Sequence, residues 1–252
     1  MWRCCSIVDL AGVTQLRNVV CIICKRSSKI SRFDATTHQR LTDIVMKEHK
    51  LRDIAACQCT SHLYVADCWH VWRVSLDGTD IQRWLPKSSL ASYGGSVLAL
   101  SVTASRLLIT FIYHLRQFDV HGVELRRVNV SGITHAMESP TGLLIVSHYI
   151  SQKKHQVSNV NTAGQVVSCS PALDSIPHMA VDSKGNVLVA YPDYRQILLF
   201  GPQLRLCHVI VDENQLNYEQ PQRLCYIEQS GQLLVGLKNR GSVAVFNVCT
   251  DK

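Results

Sequence analysis

No apolar run in this 252-residue chain approaches the ~18 consecutive residues that a membrane-spanning helix needs. The opening MWRCCSIVDLAGVT has one Arg before a short apolar run that Asp9 interrupts, which is not the pattern of a signal peptide. The expectation is an intracellular, cytoplasmic protein with no membrane partner. Also missing are a G-x-S-x-G elbow and a glycine-rich phosphate loop, so neither a serine-hydrolase nor a nucleotide-binding signature is present and no cofactor is expected. No low-complexity tract or flexible linker divides the chain. Basic residues are in excess, for a formal charge of +7, but they are dispersed. That balance permits acidic partners or nucleic acid without requiring them.

What is present is a core. Hydrophobic residues make up 46% of the chain and charged residues 18%, a composition far from the disordered class. The eleven cysteines are odd in number and scattered through apolar runs instead of framing loops. Reduced thiols acting as small buried hydrophobes are therefore expected. Cys21 and Cys24 have a zinc-knuckle spacing but fall within VVCIIC, where residues three apart on a strand point to opposite faces. Cys57 and Cys59 could share a face, with His62 or Cys68 as further ligands, and form the one zinc candidate.

The stretch 176–211 shows how the chain is organised. Its short apolar runs, HMAV, NVLVAY, QILLF and LCHVIV, alternate with the turn clusters DSKGN, YPDYR and GPQ, as in a four-stranded antiparallel meander. Taking Phe200 as the third-strand anchor, equivalents occur at Phe33, Val74, Phe118, Val160 and Phe246, spaced by 41, 44, 42, 40 and 46 residues. Second strands align as VVCIIC, HLYVAD, RLLITF, GLLIVS, NVLVAY and QLLVGL. Gly78, Gly122 and Gly164 each come four residues after an anchor, where a tight turn into a fourth strand needs a permissive backbone. This period predicts an all-β fold, a six-bladed β-propeller of four-stranded antiparallel meander blades. One domain, 1–252, is expected, with blades at about 2–46, 51–86, 94–130, 132–170, 176–212 and 219–248. The sixth unit ends after its third strand. Its outer edge is expected either to stay short or to be closed by residues of a longer chain to which this one belongs.

The units SIPHMAVDSKGNVLVAYPDYRQILLFGPQ and LRDIAACQCTSHLYVADCWHVWRVSLDG resemble NHL repeats. The fifth unit keeps most of that pattern, whereas the third and fourth keep little beyond the anchor and the glycine. The resemblance implies a six-bladed propeller like the one at the C-terminal end of tripartite-motif proteins, some of which bind RNA and others proteins. No RING, B-box or coiled-coil segment accompanies it here, so ligase activity does not carry over.

In such a blade the second-to-third loops of all six units lie on one face. They bring together Lys25, Arg26, Trp69, His70, Tyr113, His114, His148, Tyr149, Lys153, Lys154, Tyr191, Tyr194, Arg195, Lys238 and Arg240. Aromatics interleaved with cations suit single-stranded RNA, whose bases stack and whose phosphates need Lys or Arg. They suit an acidic protein segment almost as well. The expected function is a non-enzymatic binding or scaffolding module with one of those two partners. Its rival is a metal-dependent hydrolase of the lactonase type, for which the resemblance to related six-bladed folds supplies the model. Only Glu138, Asp182 and Glu228, at the ends of first strands, could converge on the channel as oxygen ligands. Asp182 and Glu228 open ordinary hairpin sequences, DSKGN and EQSG, and read as turn residues before metal ligands. His135, His178 and His208 lie within apolar runs and read as core or edge histidines.

Overall fold

The computed structural model describes residues 2–3, 9–85, 95–238 and 241–248. It is built from strands, with one 3-10 turn at Pro192–Tyr194. Among the described residues no helix is long and apolar enough to cross a membrane.

Strand β1 (Trp2–Arg3) belongs to no blade of the N-terminal half. The first blade is β2 (Leu10–Leu16), β3 (Val19–Cys24), β4 (Lys29–Asp34) and β5 (Arg40–Val45). In the second are β6 (Asp53–Cys57), β7 (His62–Ala66), β8 (Val71–Ser75) and β9 (Ile81–Arg83). The third comprises β10 (Ala99–Thr103), β11 (Arg106–Thr110), β12 (His114–Asp119) and β13 (Glu124–Asn129). Next come β14 (Ile133–Glu138), β15 (Leu144–Ser151), β16 (Lys154–Val160) and β17 (Val166–Cys169). The fifth holds β18 (Met179–Val181), β19 (Val187–Tyr191), β20 (Gln196–Phe200) and β21 (Leu206–Val211). The last has β22 (Pro221–Ile227), β23 (Gln232–Leu237) and β24 (Ser242–Asn247) from the C-terminal end of the chain.

Each blade is a four-stranded antiparallel meander, and all six anchors fall on third strands. The sixth blade departs from expectation. Its outer strand is β1, which pairs antiparallel with β24 through Trp2 opposite Val243 and Arg3 opposite Ser242. The chain thus closes its own ring, and the edge that the repeat left open is covered. Two residues are too few to show any period in the sequence.

Packing explains why the second strands are apolar throughout instead of alternating. A blade is covered by a neighbour on both sides, so both faces of its central strands are buried. Strands β19 and β23 illustrate this, with all but one residue of each buried. Six apolar clusters fill the six junctions between neighbouring blades, the last joining Ile227, Leu234 and Val243 of the sixth blade to Leu10, Val20 and Phe33 of the first. Phe118 and Phe200 are almost fully buried. The anchor-plus-four glycine serves these junctions too. At Gly164 (φ +83) a Cβ would lie 3.1 Å from the Asn129 carbonyl oxygen of the preceding blade. At Gly78 (φ +79) it would lie 2.8 Å from Ile44. Both positions require a left-handed backbone and close approach to the neighbouring blade.

Candidate functional site

The first strands line a central channel and contact one another in a closed ring. Pairing with the second strands places Gly12, Asp53, Ala99, His135, His178 and Arg223 at equivalent positions. Their contacts run round the channel. Any Cβ on Gly12 would meet Asp53 Oδ1 at 2.8 Å. Asp53 accepts N–H bonds from Ile54 at 2.9 Å and from Leu100 of the next blade at 2.7 Å. The rings of His135 and His178 stack with centroids 4.1 Å apart. His178 Nδ1 accepts the Leu224 N–H at 3.1 Å, and Arg223 Nε donates to the Ala11 carbonyl oxygen at 2.6 Å. Burial pushes the Asp53 carboxyl up to about 6, opposed by Arg223 and the two N–H bonds. Burial also takes His135 down to about 3, with Arg223 adding to the effect. His178 is lowered well below its usual value by burial, then by His135 and Arg223. Both imidazoles are therefore neutral at pH 7. His135 Nδ1 is buried with no hydrogen-bond partner.

From this polar ring a cavity of about 410 Å³ runs toward the turns between first and second strands, past Gln58, Ala104, Ser183 and Gln229. The acids expected near this end do not share a ligand sphere. Glu138 is buried and accepts from Arg106 Nη1 and Arg126 Nη2, each at 3.0 Å, and from Gln117 Nε2 at 2.6 Å. Asp182 caps its hairpin, taking N–H bonds from Lys184 at 3.0 Å and Asn186 at 2.7 Å. Glu228 accepts the Ser183 N–H at 3.0 Å and the Ser183 hydroxyl. These bonds accord with the turn-residue reading of Asp182, and among the described residues Glu138, Asp182 and Glu228 do not bring three ligand atoms within 4.8 Å of one another.

The opposite face carries the second-to-third loops and the connections between blades. Five aromatic residues among those described are exposed, namely Trp69, Tyr113, Tyr149, Tyr194 and Tyr218, and all lie on this face. Exposed Ile112, Ile150 and Ile176 accompany them. Tyr218 and Ile176 belong to inter-blade connections, which reading the loops alone had passed over. Blades four and five form the densest part. Tyr149 packs on His155 with centroids 4.3 Å apart, and Tyr191 on Tyr194 at 4.7 Å. Lys154 pairs with Asp174, which also accepts the Tyr191 hydroxyl at 3.4 Å.

Other residues expected on the face are placed differently. His114 is buried, stacked on Phe111 with centroids 4.6 Å apart, because it opens strand β12 instead of standing in the loop. Its titration is lowered by burial, then by Arg127 and Arg116. His148 is half-buried, with Nε2 2.9 Å from the Ser158 hydroxyl. Arg195 and Lys238 are half-buried, and Arg240 lies outside the described residues. His70 turns in toward Asp67, which also receives His49 from the connection between the first two blades. Of the zinc candidates, Cys57 Sγ and Cys59 Sγ lie 3.1 Å apart, but they form no cluster of three ligands with His62 or Cys68. Seven described cysteines are free thiols, whereas Cys24 is disulfide-bonded, so the expectation of reduced thiols throughout does not hold there.

The geometry defines a six-bladed β-propeller with an aromatic face and, at its other end, a cavity floored by titratable groups. No family model matches the sequence, and no curated protein matches it. Solved structures match the fold. The WD40 propeller domain of Doa1 superposes with a TM-score of 0.64 at 11% identity, covering 99% of this chain and 96% of that one. Hydrazine synthase of Kuenenia stuttgartiensis gives 0.64 at 11% identity, covering 97% of each. A protein of unknown function from Bacteroides caccae gives 0.66 at 14% identity, covering 86% of this chain and 81% of that one. At these identities the likeness is one of fold alone.

Proposed function

We propose that this chain is a non-enzymatic recognition propeller that takes a protein segment across the face formed by the second-to-third strand loops. The observation that carries the reading is the confinement of the five exposed aromatics to that face. Exposed aromatic and aliphatic side chains grouped on one surface are the usual anchors of a protein interface. Charge on this face is mixed: Asp174 and Asp193 stand among Lys154 and Arg195, and Lys154 is already paired. Exposed Arg26 and Lys153 also stand on this face, so the choice of a protein segment over single-stranded RNA rests on the grouped aromatic and aliphatic side chains. The resemblance of the fifth unit to NHL repeats accords with a binding role.

A displayed random-peptide library would be selected against the wild-type protein, and the selected peptides titrated against the double variant Tyr149→Ala/Tyr194→Ala. Affinity should fall at least about tenfold, since interface aromatics commonly contribute more than about 1 kcal/mol each. A Val123→Ala variant on the opposite face should bind as the wild type does. Unchanged binding by the tyrosine variant would refute the face. Tight binding of an unstructured RNA oligonucleotide, falling steeply with salt, would put RNA in place of the peptide.

A further inference from the structure

We propose that His49, Asp67 and His70 form a binding site for a divalent transition-metal ion of the zinc type. The proposal is independent of what the aromatic face recognises. Among the described residues this trio is the one set of three His, Cys, Asp or Glu side chains whose ligand atoms all lie within 4.8 Å of one another. His49 Nδ1 is 3.0 Å from Asp67 Oδ2, and His70 Nδ1 is 3.1 Å from the same oxygen. Ligands held 2.0–2.1 Å from a tetrahedral zinc ion stand about 3.3 Å apart. Both separations from Asp67 Oδ2 lie within a few tenths of an ångström of that value. Two imidazoles with one carboxylate and an open fourth position is an established donor set for zinc and for other first-row divalent ions.

The surroundings hold the carboxylate as a metal site requires. Asp67 Oδ1 accepts the backbone N–H groups of Trp69 and His70, each at 2.7 Å, and Trp72 Nε1 donates to Oδ2 at 3.3 Å. These bonds hold the carboxylate in place, as outer groups do around ligating side chains. The Trp72 ring packs 4.5 Å from His49 and 5.8 Å from His70, restricting both imidazoles. The site remains reachable, because the His49 and His70 side chains keep 27% and 16% of their exposure. His49 comes from the connection between the first two blades and Asp67 and His70 from a loop of the second, so an ion there would clamp that junction.

The test uses the full chain. Protein incubated with zinc chloride and dialysed into metal-free buffer should retain about one zinc per molecule by elemental mass spectrometry. Substitution with cobalt(II) should give the visible absorption of a four-coordinate site without a thiolate charge-transfer band. His49→Ala should weaken cobalt binding more than tenfold, and His70→Ala likewise, while Cys59→Ser leaves it unchanged. Circular dichroism guards against unfolding, and the half-exposed His49 carries the result should His70→Ala fail to fold. Three results would overturn the site: no retained metal, a spectrum dominated by thiolate charge transfer, or affinity that Cys59→Ser lowers and His49→Ala does not.

Discussion

Replacing Asp53 by Asn should make the propeller markedly more sensitive to acid, because the channel ring contains groups whose pH dependences oppose each other. Asp53 titrates near 6 in the folded protein against an ordinary 3.8. Between those values the folded state holds a proton that the unfolded chain has lost, so stability rises as pH falls through that window. From pH 7 to pH 4.5 this amounts to about 2 kcal/mol in favour of the fold. His135 behaves oppositely, titrating near 3 when folded against an ordinary 6.5. Its unfolded form gains a proton that the folded form refuses, which removes about 2–3 kcal/mol over the same interval. His178 is lowered in the same direction, and Arg223 faces all three groups, depressing each. In the wild type Asp53 therefore offsets much of the loss that His135 causes. Asp53→Asn removes the offset and should lose about 2 kcal/mol more than the wild type between pH 7 and pH 4.5. Urea unfolding followed by tryptophan fluorescence at the two pH values measures this as a difference of differences. Equal losses in the two proteins would show that Asp53 is not the proton acceptor and would refute the reasoning.

Packing sets further outcomes. Phe200→Ala should cost about 3–5 kcal/mol, the usual range for a buried phenylalanine, whereas Phe246→Ala at the equivalent but only partly buried position should cost less; chemical denaturation ranks them. Gly164→Val should destabilise by more than about 1 kcal/mol, since the left-handed backbone and the nearby Asn129 carbonyl oxygen both oppose a branched side chain, and thermal melting reads this directly. Removing the first three residues should lower Tm and, by baring the edge of β24, promote self-association detectable by light scattering.

The fold was legible because every blade repeats the same physical problem. A sheet packed on both sides needs apolar central strands, a bulky anchor and a tight turn, and these recur about every forty residues as VLVAY, Phe200 and Gly164 or their equivalents. Closure was not legible. The strand that completes the sixth blade is two residues long and lies at the far end of the chain from its partner, so it carries no periodic signal. The loop face was legible as a set of loops but not in every side chain. His114 comes directly after Tyr113, yet Tyr113 stands in the loop and is exposed while His114 opens a strand and is buried. A one-residue difference in where a strand begins reverses which side chain faces water.

The clustering of polar groups at the channel and at Asp67 was not legible for a different reason: they are assembled across blades. Reading each blade from first strand to last makes His135 and His178 look like isolated polar residues in apolar runs. Setting the first strands side by side instead puts Gly12, Asp53, Ala99, His135, His178 and Arg223 at one level, where two small residues stand among four large polar ones. The absence of a Cβ at Gly12 is what lets Asp53 lie against that strand while bonding the next, as the 2.8 Å approach shows. His49 likewise meets Asp67 across eighteen residues and a blade boundary. In a ring of repeats the side chains that interact at the axis occupy the same place in successive units, so chemistry at the axis is encoded in that alignment and not in any contiguous motif.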